Sequence, residues 1–132
     1  MINKKEHIRL KKRYAILTIK WCRENLGIND RKRTRLSLEF TDRKRTIKNI
    51  PICGNYCFWR NKITVHNSAC KTIKDVVSTT IHEYTHYLQS RTKYKEYEKF
   101  YYYSNHPCER EARRNEEKYT DMCIKEIKKY LL

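Results

Sequence analysis

The sequence has little of what builds long linkers, export signals or membrane spans. Only two glycines and two prolines occur among 132 residues, which argues against long disordered segments. No run of about 18 apolar residues occurs, so no transmembrane helix is expected. The longest apolar run near the basic N-terminus is YAIL, too short for the core of a signal peptide. We therefore expect a cytoplasmic protein, in a host cell's cytoplasm if a phage or virus encodes it.

Acidic residues are also scarce. The chain has 15 Asp and Glu against 31 Lys and Arg, a formal net charge of +16, and residues 1–50 hold 16 of those cations with five acids. Such an excess attracts polyanions, so nucleic acid or an acidic protein is an expected partner. A solvated basic surface without a specific partner has the same composition, and charge alone does not decide between them.

Six cysteines are present, and without a recognisable signal peptide we expect reduced thiols rather than disulfides. The segment CGNYC at 53–57 could supply half of a metal site, but no second close pair completes it. The sequence favours a turn at Gly54 and Asn55 with partly buried thiols on either side.

The length suits a single domain over residues 1–132, whose core can draw on 11 tyrosines, three phenylalanines and two tryptophans. Apolar periodicity predicts a first helix over 4–26 that ends at Gly27 and packs across a sheet. Alternating residues predict strands over 35–40, 56–60 and 62–66, with a basic connection over 41–51.

Two further long helices are predicted. The first covers 71–91, with Thr72 as its N-cap and Asp75 in its first turn. Its core stripe consists of Val77, Ile81, Tyr84 and Leu88. A polar, aromatic segment over 92–105 is predicted as a loop or a short irregular helix. The last helix runs from Pro107 to about residue 130, and its predicted buried side consists of Ala112, Tyr119, Cys123, Ile127 and Tyr130. This order of elements predicts an α+β fold.

The segment STTIHEYTHYLQS, residues 78–90, carries the candidate chemistry. A spacing of four places His82 and His86 on one helix face, about 6 Å apart, where two imidazoles can bind one tetrahedral Zn²⁺. Glu83 lies about 100° round the helix from His82. There it can take a proton from the attacking water and pass it to a leaving amine. The alternative is a pair of surface histidines on an amphipathic helix.

A zinc site of this kind needs a third protein ligand. The extended pattern His-x-x-Gly-x-x-His is absent, because Gln89 and Thr92 occupy the positions of its glycine and last histidine. A carboxylate in the first turns of the last helix could face the histidine pair across a helix–helix contact. Such carboxylates also occur simply because they complement the helix dipole.

Together, HEYTH and the segment CEREA about two dozen residues later resemble gluzincin-type zincin metallopeptidases. The nearest likeness is to the small intracellular ImmA/IrrE-like peptidases and related phage proteins, and SprT-like proteins are a second comparison. The likeness covers about residues 62–120. It implies a minimal zincin-like domain with an N-terminal helix, a small antiparallel or mixed sheet, an active-site helix and a C-terminal ligand helix.

The resemblance also implies a ligand set. The Glu-x-x-Ala spacing of the first group makes Glu109 the third zinc ligand, with Glu111 as a fallback two residues away. The SprT-like group uses a histidine, for which His106 is the candidate. Arg113 departs from the family pattern, because many gluzincins have an acidic residue there that orients a histidine.

Two substrate contacts are predicted. The segment KITVHN at 62–67 would be the edge strand beside the cleft and bind an extended peptide by main-chain pairing, with His66 touching substrate at its end. One tyrosine of 101–103, represented by Tyr103, would hydrogen-bond an oxyanion. A half-exposed strand histidine and core-capping tyrosines are the common alternatives.

We therefore expect a zinc metallopeptidase that cleaves a specific protein substrate, with His82, His86 and Glu109 as ligands and Glu83 as general base. The alternative is a basic nucleic-acid-binding protein on a zincin scaffold with a structural or vestigial metal, in which loops 31–35 and 43–48 grip phosphates. A third possibility is an interaction protein whose histidines have no chemical role.

Overall fold

The computed structural model describes residues 2–32 and 34–131 and has an α+β fold, as predicted. Arg33, part of the predicted loop 31–35, lies outside the described residues. The elements in chain order are α1 Lys4–Asn25, β1 Ser37–Thr41, β2 Thr46–Ile47, β3 Ile50–Pro51, β4 Gly54–Cys57, β5 Lys62–His66, α2 Ile73–Leu88, α3 Arg91–Glu98, a 3₁₀ turn Tyr103–Asn105, and α4 Pro107–Leu131.

Helix α1 begins and ends close to the predicted positions. The Asn3 side chain accepts a hydrogen bond from the backbone N–H of Glu6 at 2.9 Å. Gly27 follows the C-cap with a φ of +92°, a conformation that favours glycine. The helix packs chiefly on α2, and less on α4 and β1, so the prediction that it packs across a sheet is wrong. The two helices offer α1 more apolar surface than a sheet of three short strands.

The main sheet has the strand order β1–β5–β4, with β5 parallel to β1 and antiparallel to β4. Strand β5 is therefore central, and Ile63 and Val65 on it are fully buried. The prediction that 62–67 forms the edge strand is wrong, because β1 pairs with it from a distant part of the chain. Strand β4 occupies the edge instead, and residues 58–61, partly predicted as strand, form its turn to β5.

A small hairpin of β2 and β3 lies inside the segment predicted as a basic connection. Its tip residues Lys48 and Asn49 have φ values of 51° and 65°, and positive φ at both central positions is the requirement of a type I′ turn. The sequence lacks the glycine that usually marks such a turn. Gly54 and Asn55 lie in β4, so the predicted turn at these residues is also wrong.

Helix α2 lies between α1 and α4 and contributes the centre of the core. Its N-terminus is a capping box: the Thr72 hydroxyl accepts from the Asp75 N–H at 3.0 Å, and the Asp75 carboxylate accepts from the Thr72 N–H at 3.1 Å. Val77, Ile81 and Tyr84 are fully buried as predicted. The capping box fixes the start of α2 and the buried stripe fixes one of its faces, so the opposite face, which carries His82 and His86, has a defined direction.

The C-terminal third is more helical than predicted. The regular helix α3 occupies part of the segment expected to be irregular, and the Ser90 hydroxyl caps it by accepting from the Lys93 N–H. On α4, Ala112, Cys123 and Ile127 are buried, but Tyr130 is 67% exposed, although the next residue, Leu131, packs against the core. Among the described residues, none of the helices combines the length and apolarity needed to cross a bilayer.

Candidate active site

The contact between α2 and α4 brings three polar side chains together: His82, His86 and Glu109. The Nε2 atoms of His82 and His86 each lie 3.2 Å from the same carboxylate oxygen, Oε1 of Glu109. His86 Nε2 is also 3.1 Å from the other oxygen of that carboxylate. Glu109 is 2% exposed and the ring centroids of the two histidines are 5.0 Å apart. Two helices thus converge on one small, nearly dry polar cluster.

The donor spacing of this cluster fits one tetrahedral metal ion. Zinc binds imidazole nitrogen and carboxylate oxygen at about 2.0 to 2.2 Å, which separates neighbouring ligand atoms by about 3.3 to 3.6 Å at the tetrahedral angle. The observed separations of 3.1 and 3.2 Å between nitrogen and oxygen lie just below that range. A small outward movement of the side chains would place an ion between them.

Of the three predicted third ligands, only Glu109 reaches both histidines. Glu111 points away from them, is exposed, and accepts a hydrogen bond from Gln89 Nε2 at 2.8 Å. His106 is buried, but its ring is used at the start of α4: Nδ1 accepts from the Cys108 N–H, and Nε2 donates to the Tyr94 carbonyl at 3.0 Å. Two residues along a helix turn a side chain by about 200°, which separates Glu111 from the face that Glu109 occupies.

The outer nitrogens of both histidines are held by acceptors. His82 Nδ1 donates to Glu116 Oε1 at 2.9 Å, and His86 Nδ1 donates to Gln89 Oε1 at 2.7 Å. Because a carboxylate and an amide oxygen only accept, each neutral imidazole keeps its proton on Nδ1 and its lone pair on Nε2. Gln89 is fixed in turn by donating to the Cys108 carbonyl at 2.9 Å. Such outer partners orient metal-binding histidines.

Sequence reasoning missed Glu116. The family pattern has an orienting acid four residues after the ligand glutamate, and this chain has Arg113 at that position. The Arg113 guanidinium donates to the Ser104 carbonyl at 2.7 Å. Glu116 lies seven residues after Glu109, two helical turns along the same face of α4. A search at i+7 as well as i+4 would have found it.

Charges within the cluster are strongly coupled. Burial alone would lower the pKa of His82, but hydrogen bonds to Glu109 and Glu116 raise that pKa to about 10. The pKa of His86 is also raised, by its hydrogen bond to Glu109 against the effect of burial. Burial favours a higher pKa for Glu109, yet the two histidines outweigh it and hold the carboxyl pKa well below its usual range. Without a metal, protonated histidines therefore pair with the Glu109 carboxylate and stabilise the cluster.

Glu83 is also close enough to be a ligand, since atoms of His82, Glu83 and His86 all lie within 4.8 Å of one another. Two observations distinguish it from Glu109. No hydrogen bond from the described residues reaches its carboxylate, whereas Tyr94 donates to Glu109 Oε2. Burial raises the pKa of Glu83, while that of Glu109 is lowered. Glu109 is therefore held by both histidines and Tyr94, whereas the Glu83 carboxylate is not engaged by any of the described residues.

These groups line an open cleft of about 320 Å³. Strand β4 and Ile47 of the β2–β3 hairpin lie on its lining together with Tyr94 and Tyr103. Tyr103 is 69% exposed, but partial desolvation on the cleft wall and the nearby Glu109 charge raise the pKa of its phenol to about 12, so the phenol stays protonated and can donate. Tyr103 thus lines the cleft, as the oxyanion prediction requires.

The structure does not bring His66 into this cleft. Its ring is 5% exposed on the central strand β5, and its Nδ1 donates to the Arg43 carbonyl at 2.8 Å. The predicted substrate contact at His66 depended on an edge position that β4 takes instead. The cysteine pair of CGNYC also lies outside the site: Cys53 and Cys57 are half-buried free thiols and belong to no group of metal-binding side chains among the described residues.

Known proteins offer no match to this chain: no family model, no curated protein and no solved structure matches it. The resemblance to zincin peptidases therefore stays a prediction carried by HEYTH and CEREA, and the function has to be argued from the geometry of the site.

Proposed function

We propose that this protein is a zinc-dependent peptidase, with His82, His86 and Glu109 as metal ligands and Glu83 as general base. One observation carries the proposal: a single carboxylate oxygen lies 3.2 Å from Nε2 of both histidines, across the contact of two helices. A second acidic group, Glu83, lies at the same place without a hydrogen-bond partner among the described residues. Surface histidines on an amphipathic helix would have neither feature.

The donor set suits zinc chemistry. Two imidazoles and one carboxylate leave a fourth tetrahedral position open, as hydrolytic zinc sites do. Bound there, Zn²⁺ supplies a Lewis acid that polarises the substrate carbonyl and acidifies water. The Nδ1 hydrogen bonds of both histidines keep their Nε2 lone pairs directed toward the ion.

Glu83 moves the proton in this proposal. Its carboxylate takes a proton from the water whose oxygen attacks the peptide carbonyl carbon, forming the new C–O bond. It then gives that proton to the amide nitrogen as the C–N bond breaks, so the products are a carboxylic acid and an amine, which become a carboxylate and an ammonium when the acid proton passes to the amine. Its pKa, raised by burial, makes it a better base than a solvated carboxylate.

In this proposal, strand β4 holds the substrate backbone. It is one of the two edge strands of the main sheet, and Gly54, Asn55 and Tyr56 on it line the cleft. An extended peptide can add to that edge by main-chain hydrogen bonds and so present a carbonyl to the site. Tyr103, protonated at neutral pH, is available to donate to the oxyanion that forms as water attacks.

The experiment measures zinc content and cleavage together. The zinc-loaded protein is incubated with a proteome-derived peptide library, and new termini are identified by mass spectrometry. Glu83→Gln should keep stoichiometric zinc and lose cleavage by at least about 100-fold, the size of a general-base contribution. Glu109→Gln should lose zinc, while the matched Glu111→Gln should retain it.

Two results would count against the proposal. One is tightly bound zinc at unit stoichiometry with no cleavage of any peptide. The other is cleavage that Glu83→Gln leaves unchanged, because the activity would then come from a contaminant or from another site.

A further inference from the structure

A basic groove lies outside the zinc-ligand cluster, between α1 and the loops that follow β1 and β5. Its volume is about 730 Å³, and the cations lining it are Lys4, Lys11, Lys44, Arg45 and Lys71. A second depression of about 330 Å³ lies on the outer side of β4 and β5 and adds Arg43, Arg60 and Lys62. Lys44 and Arg45 line both depressions, which are therefore neighbours. We call this connected surface the basic track.

The basic track meets the candidate active site at Arg45. That residue also lines the cleft that contains His82, Glu83 and Glu109, and Asn55 lines both the second depression and the cleft. Anything elongated that occupies the track is therefore led to the place where the proposed hydrolysis occurs.

The cations of the track are largely uncompensated. Only two acids of the described residues lie among its eight cations: Glu39 pairs with Arg43 at 2.7 Å and Lys62 at 2.9 Å, and Asp42, which accepts from the Asn67 amide, keeps its charge. Lys44, Arg45 and Lys71 are exposed and have no ion pair within the described part of the chain. An anionic ligand would meet free positive charge at these positions.

A buried atom in the track also lacks a partner. His66 lines the second depression, and its Nδ1 is occupied by the Arg43 carbonyl. Its Nε2 is buried, and none of the described residues hydrogen-bonds to it. Because Nδ1 donates, Nε2 of the neutral ring can only accept, so the ligand group that would pair with it is a donor such as a peptide N–H rather than a carboxylate.

The lining favours an acidic polypeptide over single-stranded nucleic acid. Single-stranded nucleic acids are held by aromatic side chains on which bases stack, and no Phe, Tyr or Trp of the described residues lines either depression of the track. The ammonium of Lys32, in the loop predicted to grip phosphates, lies 4.5 Å from the Tyr56 ring centroid and donates to the Tyr56 hydroxyl. It is therefore used inside the protein.

We propose that the basic track binds an acidic stretch of the polypeptide substrate, which continues past Arg45 into the cleft. The inference rests on the proposed function for the identity of the cleft as the cleavage site. It adds a substrate class: proteins with a run of Asp and Glu next to the bond to be cleaved. Pairing of the substrate with β4 then fixes which peptide bond lies at the site, and the basic track selects substrates that carry an acidic stretch.

The test measures binding without cleavage, in the Glu83→Gln background. The probe is a fluorescent peptide of roughly 12 residues rich in Asp and Glu, about 40 Å long when extended, compared by anisotropy with a matched Asn and Gln peptide. The track variant carries Lys44→Glu, Arg45→Glu and Lys71→Glu. The control variant, Lys118→Glu, Lys125→Glu and Lys129→Glu, makes the same change in net charge at exposed positions on α4.

We expect the track variant to bind the acidic peptide about tenfold or more weakly than the protein without these changes. The control variant should lose less than about threefold in affinity, because charges close to the bound peptide act more strongly than distant charges screened by salt. Circular dichroism checks that both variants fold. Equal losses in the two variants would overturn the proposal, since attraction would then follow net charge alone. So would tighter binding of a single- or double-stranded oligonucleotide of equal charge, with that binding lost in the track variant.

The outcome is separable from that of the peptidase test. Binding that depends on the track, in a protein that cleaves nothing, would leave an acidic-peptide binding site and remove the enzyme. Cleavage without any preference for acidic peptides would leave the enzyme and remove the track as its selectivity element.

Discussion

Replacement of Glu116 by alanine tests whether this residue positions a zinc ligand. Its Oε1 accepts from His82 Nδ1 at 2.9 Å, and loss of a hydrogen bond with one charged partner costs about 1.5 to 3 kcal/mol. The Glu116 side chain is 28% exposed, so water replaces part of the lost interaction and the lower end of that range applies. At about 1.4 kcal/mol per factor of ten, zinc affinity should fall about tenfold.

The assay is a competition titration for zinc against a chromophoric chelator at neutral pH. Glu116→Gln should cost less than Glu116→Ala, because the amide oxygen still accepts from Nδ1 and only the charge is lost. Glu117→Ala, at the adjacent exposed position, is the matched control and should match the wild type. If Glu116→Ala binds zinc as tightly as Glu117→Ala, then His82 is not oriented through Nδ1, and the proposed positioning role is wrong.

Three further predictions follow from the cluster and its surroundings. Since the pKa of His82 is about 10 in the metal-free protein, zinc binding at pH 7.5 should release at least one proton. The calorimetric enthalpy of zinc binding should therefore differ between buffers of high and low ionisation enthalpy. Equal enthalpies in the two buffers would refute the coupling between zinc binding and proton release. The raised pKa of His82 should stabilise the metal-free fold fully below the ordinary histidine pKa of 6.5, and this contribution should be lost as the pH rises toward 10. The lowered pKa of Glu109 should stabilise the same fold above the ordinary carboxyl pKa of 4.5, and that contribution should be lost as the pH falls below this value. The Tm difference between wild type and His82→Asn should therefore shrink from pH 6 to 10, and a constant difference would contradict this. Gly54→Ala should lower the free energy of unfolding in urea by about 1 to 3 kcal/mol. The reason is that a Cβ at this position would lie 2.5 Å from the Thr79 methyl and 2.9 Å from a backbone carbonyl oxygen of β5. An unchanged unfolding midpoint would show that β4 can move away from α2.

The site depends on the packing of α2 against α4 more than on any single residue. His82 and His86 come from one helix, and Glu109 and Glu116 from the other. Each imidazole is held on both nitrogens, so a rotation of either helix would break several interactions at once. Repulsion between unpaired carboxylates is avoided by protons in the metal-free state, and a divalent cation offers the same compensation.

Features encoded by neighbouring residues were predictable from the sequence. The capping box of Thr72 and Asp75, the stop at Gly27 and the buried stripe of α2 all follow from local hydrogen bonding and a period of 3.6 residues. The shared helix face of His82 and His86 follows from the same period. Such patterns hold because their physical causes lie within a few residues of each other.

Features that join distant segments were decided only by the tertiary structure. The parallel pairing of β1 with β5 moved the edge of the sheet to β4, and with it the predicted role of His66. The rotation of α4 turned Glu109 rather than Glu111 toward the histidines and brought Glu116 to His82, whereas the sequence favoured Glu109 only by resemblance and did not indicate Glu116. Local propensity determines where a helix forms, whereas the direction in which it faces its neighbour depends on how the whole core packs.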